Sequence, residues 1–116
     1  MAIKTIKEPI SKDELKKIAK DGFGNVVKAV VDTEQGIMAV GGELHADGEV
    51  WLMEREGSNR ENTWGINLYT EKSGDEFIEF DSMVNIKPAF GNRSREVESP
   101  AVREQIKMIV LKLVKP

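Results

Sequence analysis

Apolar positions along this chain change spacing several times, and the changes mark its elements. Residues 2–6 (AIKTI) alternate apolar and polar positions, the period of a short strand, here expected at a sheet edge. The spacing then becomes helical. Ser11 stands where an N-cap belongs, Glu14 three residues on completes a capping box, and Ile10 with Leu15 forms a hydrophobic staple. Leu15, Ile18 and Ala19 give this helix its buried stripe, and Gly22 gives it a stop. "NVVKAVVDTEQGIMAV" reads as two strands joined by a turn at Thr33 to Gly36. Both arms are apolar on both faces, which places the hairpin centrally in a sheet.

Residues 47–56 admit two readings. Asp47-Gly48 between apolar arms is a hairpin signal, with "EVWLMER" as a strand. Alternatively Asp47 caps a helix in which Val50, Trp51 and Met53 follow at helical spacing, and Gly57 falls at its left-handed C-cap. The helix is the preferred reading. "TWGINLYTEKSGDEFIEFDSMVNI" predicts a second hairpin. In it Trp64, Ile66 and Leu68 share one face, and Ile78 and Phe80 oppose Glu79 and Asp81. Residues 87–98 show no apolar period and read as a long loop, a length at which loops in compact domains are often functional. Ser99 then caps a last helix, with Pro100 at its first position. Val102, Ile106, Ile109, Val110 and Leu113 lie on one face, and Lys112 and Lys115 fall in the last turn. The expected fold is a single α+β domain over residues 1–116, a four- to five-stranded, mainly antiparallel sheet packed with three helices.

Composition narrows the function. With 17 basic and 20 acidic residues spread along the chain and a net charge of −3, general nucleic-acid binding is disfavoured, because that affinity comes from neutralising phosphates. The absence of cysteine excludes disulfides, thiolate metal sites and cysteine nucleophiles. The segment "MAIKTIKEPISK" has no apolar core of signal-peptide length, and no run reaches the ~20 apolar residues of a membrane span. The expectation is a cytoplasmic protein without a membrane segment.

Three constellations carry candidate chemistry. Glu43, His45 and Asp47 share one face if the chain stays extended, and could then hold a divalent metal or activate a water; His45 is the only histidine. If the chain turns helical there, His45 points away from the other two, and Gly41-Gly42 and Asp47 serve only the strand-to-helix junction. Glu79 and Asp81 are a second pair of carboxylates suited to acid–base or cation work, or simply solvated. "FGNRSRE" offers Asn92, Arg93, Ser94 and Arg95 as an anion-binding loop ahead of a helix, through guanidinium forks and loop amides. Its arginines could equally pin the loop by pairing with Glu79, Asp81 or Glu43.

Taken together, "EPISKDELKKIA", "GIMAVGGELHAD", "WGINLY" and "EFDSMVNIKPAFGNRSR" resemble a family of short prokaryotic proteins, a domain of unknown function spanning nearly the whole chain. The resemblance makes the paired glycines, His45, Asp47, Asn92, Arg93 and Arg95 part of a family pattern and implies no activity. The leading expectation is a non-catalytic protein that takes an anionic small molecule or an acidic protein partner through residues 91–95. The rival is a metal-assisted hydrolase of a phosphate ester using Glu43, His45, Asp47, Glu79 and Asp81. A third reading is a homo-oligomeric interaction protein. The first two require the arginine loop to fold beside the histidine junction.

Overall fold

A computed structural model describes residues 2–116. In chain order its elements are β1 (Ile3–Ile6), β2 (Ile10–Ser11), α1 (Lys12–Asp21), β3 (Val26–Asp32), β4 (Ile37–Gly41), α2 (His45–Glu56), β5 (Thr63–Tyr69), β6 (Ile78–Glu79), α3 (Pro100–Leu113) and β7 (Val114–Lys115), with short 3-10 turns between them. Five strands form an antiparallel sheet in the order β1-β4-β3-β5-β6, with β1 at one edge. The two-residue strands β2 and β7 pair in parallel outside it, tying the start of α1 to the end of α3. The fold is α+β.

Side-chain alternation divides the sheet between two cores. Val27, Ala29 and Val31 of β3, Met38 and Val40 of β4, and Trp64, Ile66 and Leu68 of β5 face α1 and α3, whose Leu15, Ala19, Ile106, Val110 and Leu113 complete the larger core. Val30, Ile37 and Ala39 face the opposite way, onto Leu52 of α2. This explains why both arms of the first hairpin are apolar throughout: helices cover it on both sides.

The termini of the helices follow local chemistry. The Ser11 hydroxyl accepts the Glu14 N–H at 3.1 Å, and the Ser99 hydroxyl accepts the Val102 N–H at 3.3 Å. α2 begins three residues earlier than an Asp47 cap would place it. Leu44 is its N-cap, without a side-chain cap bond, so Asp47 lies inside the first turn and is not the cap; there its charge suits the positive end of the helix dipole. Gly57 closes α2 in the left-handed conformation, at φ 67°. Lys115 also departs from expectation, since the chain leaves the helix at Val114 to pair with β2. The preceding junction depends on Gly41 and Gly42, at φ 95° and 78°; a Cβ on Gly41 would collide with the Ala2 carbonyl.

β6 ends at Glu79, so Phe80 and Asp81 do not continue the predicted strand. Beyond it the chain lifts off the edge of β5, and the Asn85 side chain does the pairing. Its Oδ1 accepts the Gly65 N–H at 2.8 Å, and its Nδ2 donates to the Gly65 carbonyl at 3.0 Å. Gly65 is required for this approach, because a Cβ there would lie 2.5 Å from the Ser82 hydroxyl and 2.8 Å from Val84 Cγ2. Gly65→Ala is therefore expected to lower folding stability by about 2–3 kcal/mol, read from the urea midpoint. A loss under about 0.5 kcal/mol would mean that the 82–84 segment gives way freely.

Candidate functional site

The face of the sheet that carries α2 changes from apolar to polar toward the β6 edge. Lys28 of β3 lies opposite Asn67 of β5, which lies opposite Glu79 of β6, so three polar side chains form one row across three strands. His45, the first residue of α2, reaches this row from above. The segment 81–84 and Arg95 close the other side. The result is a cleft of about 330 Å³ lined by Lys28, His45, Asn67, Asp81 and Arg95 among its polar groups, with Leu44 and Met83 exposed at its rim.

Each polar group has a defined state. His45 Nε2 lies 2.8 Å from the Ile66 carbonyl oxygen, which can only accept, so that nitrogen carries a proton. Burial pushes the imidazole below its ordinary pKa against the favourable Ile66 contact, and the nearby Lys28 charge adds to the depression. The neutral ring therefore keeps Nδ1 as an acceptor. Asn67 spends both amide protons, on Glu79 at 2.9 Å and on the Asp81 carbonyl at 3.0 Å. The Tyr69 hydroxyl also donates to Glu79, at 3.0 Å, and that bond raises the phenol pKa. Arg95 pairs with Asp81 through Nε at 2.6 Å. Among the described residues its two terminal nitrogens have no hydrogen-bond partner, which leaves the outer edge of the guanidinium open for an anion.

The positions of the other candidates follow from the same geometry. Glu43 sits exposed in the turn before α2 and Asp47 exposed in its first turn, and neither lines the cleft. The extended run that would bring Glu43, His45 and Asp47 together ends at Gly41. Among the described residues no three His, Asp or Glu side chains are grouped to hold a metal ion. In the arginine loop the two backbone donors are already occupied: the Arg93 and Ser94 N–H groups donate to Glu98 at 2.9 and 2.8 Å, and hydrogen bonding from Ser94 holds that carboxyl below its ordinary pKa. Asn92 is buried and fully used as a pin. Its Nδ2 donates to the Asn85, Ser94 and Glu96 carbonyls, and its Oδ1 accepts the Glu98 N–H. Arg93 projects outside the cleft. Of the loop residues, Arg95 alone reaches the cleft.

A buried ionic network supports the site and went unread in the sequence. Glu49 of α2, itself buried, accepts from Arg60 at 2.9 Å and from the Thr63 hydroxyl at 2.7 Å. Arg60 also donates to the Ile86 carbonyl at 3.1 Å. Lys87 is buried beside it, donates to the Arg60 and Thr63 carbonyls, and stands 4.1 Å over the Trp64 ring. Burial pulls its ammonium down to about 8. This network ties α2 to the 84–87 segment, and those two parts contribute His45 and Val84 to the lining of the cleft. Single charged residues spread along a charged chain give no pattern that reveals it.

The profile of a protein family described as "Protein of unknown function (DUF5674)" matches residues 4–113. No curated protein and no solved structure matches the chain significantly.

Two predictions follow from the site's protonation and pinning. His45 should titrate below 6.5 when followed by NMR of its ring protons. Because the folded pKa is depressed, the unfolded chain binds the proton more readily. This group's contribution to stability is therefore intact above 6.5 and is lost as pH falls from there through the folded pKa. A ring titrating above 6.5 would instead mark an imidazolium held by Asp81. Asn85→Ala strands the Gly65 N–H and carbonyl and leaves the Arg95 carbonyl with the Ser82 N–H alone, and is expected to reduce stability by about 2–4 kcal/mol in urea unfolding.

Proposed function

This chain belongs to DUF5674, a family of proteins of unknown function, and from that premise we propose that it binds a small anionic molecule in the cleft beneath Arg95. One observation carries the reading. Side chains from four separate parts of the chain, Lys28, His45, Asn67 and the Asp81–Arg95 pair, converge on one concave space. Lys28 and Arg95 stand against the single carboxylate of Asp81, so with His45 neutral the lining carries one surplus positive charge. An anion meets the free edge of the guanidinium and the Lys28 ammonium, and draws Arg95 from Asp81. His45 Nδ1 accepts a hydrogen bond from a donor on the same ligand. The cleft's volume, near the lower end for small-molecule sites, sets a ligand of a few heavy atoms.

The alternative occupant is an acidic protein partner, which would also engage the exposed Arg93. A screen of acetate, small dicarboxylates and inorganic phosphate, followed through the His45 ring signals, tests the reading. Saturable shifts are expected for at least one anion. Arg95→Gln or Lys28→Gln should weaken binding by roughly tenfold or more, while Arg93→Gln leaves it unchanged. An Arg93 effect equal to that of Arg95 would favour the protein partner. No response from His45 to any of these anions would end the proposal.

A further inference from the structure

The side of the sheet that carries α1 and α3 has a second concavity that shares no residue with the cleft. It is a groove of about 480 Å³ between the end of α3, the short strand β7 and the loop at residues 73–75. Its floor is apolar: Phe77, Ile78 and Val114 close it, each less than a tenth exposed. Leu111 stands on its wall with 70% of its surface in solvent. Isolated exposed leucines are common on soluble proteins. An exposed leucine facing an apolar hollow of ligand size is a different situation, because one occupant would bury both surfaces together.

Charge at the mouth states what kind of occupant. Among the side chains that line the groove, Lys12, Lys107 and Lys115 face one carboxylate, that of Asp75. Lys12 is fixed there, donating to the Lys72 carbonyl at 2.9 Å and standing 4.8 Å over the Phe77 ring. Lys107 is held only loosely, 3.8 Å from an Asp75 that is 99% exposed. A pair of that kind contributes little, and a competing anion can take the Asp75 place. We propose that this groove is a binding site for an amphipathic carboxylate, whose hydrocarbon body covers Phe77, Leu111 and Val114 and whose head group pairs with Lys107 and Lys115. The separation of apolar floor from cationic mouth distinguishes such a ligand from a neutral hydrocarbon, which gains nothing at the lysines. It also distinguishes it from free inorganic anions, which gain nothing on the floor.

Sodium decanoate below its micellar concentration is the probe, with decanol and decylammonium as controls, followed by amide chemical shifts of the full chain. Decanoate is expected to shift Phe77, Ile78, Leu111 and Val114 saturably and to bind roughly tenfold tighter than decanol, with decylammonium weaker still. The double variant Lys107→Glu/Lys115→Glu, at two surface positions, should remove the preference for decanoate while leaving decanol binding as it was. Asp75→Asn, at a fully solvated side chain, should tighten decanoate by about twofold to threefold. Equal affinity for the three probes, shifts confined to other residues, or an unchanged preference in the double variant would each overturn the proposal. So would an increase in molecular mass with protein concentration that broadens these same signals, because a second copy would then be the occupant.

Discussion

The side-chain amide of Asn85 completes the sheet where the backbone does not. At Gly65 the edge of β5 presents an N–H and a carbonyl that a longer β6 would have paired. The chain has already left the sheet at Glu79, and one buried carboxamide meets both groups. The same amide donates to the Arg95 carbonyl at 2.9 Å, and the Ser82 N–H donates to that carbonyl as well. Arg95 is therefore held over the sheet by hydrogen bonds to its own backbone, and its side chain turns to Asp81, 2.6 Å from Nε, at the border of the cleft. Among the described residues every buried side-chain nitrogen and oxygen has a partner, including Asn85 and Asn92 of the irregular 80–98 stretch.

A second constraint acts from beneath. Glu49, Arg60 and Lys87 place three charges in or near the core, and such groups contribute little net stability against a well-packed apolar alternative. Their effect is positional. Removing Glu49 or Arg60 leaves the other charge without its partner, and removing Lys87 takes a donor from the Arg60 and Thr63 carbonyls, so the network favours one placement of α2 against the 84–87 segment. Gly48 works in the same direction, since α2 passes close enough to Val30 that a Cβ there would lie 3.0 Å from its Cγ2. The hairpin signal of Asp47-Gly48 yields to this packing: the glycine serves a close helix–sheet contact and not a turn.

These constraints sort the charged residues by use. Glu98 fills the amide pair of the arginine loop, Asp81 holds Arg95, and Glu79 is shared by Asn67 and Tyr69. The polar cleft and the lysine-rimmed groove lie on opposite faces of one sheet and share no lining residue. No helix among the described residues is long and apolar enough to cross a membrane.

The sequence by itself determined what short-range physics governs. The caps Ser11 and Ser99, the stop at Gly57, the continuous apolar arms of β3 and β4, the period-two run of β5 and the apolar stripe of α3 all act over a few residues, and each is legible. His45 and Arg95 stand out in the sequence because the one is a lone histidine and the other belongs to a cluster of arginines. Tertiary structure decided which loop residues reach the cleft, that Asn92 and Glu98 serve the loop itself, and that Lys28, Glu49 and Lys87 matter at all. Those outcomes depend on contacts between residues far apart in the chain. Their energies arise from burial and pairing that exist only after the sheet has closed.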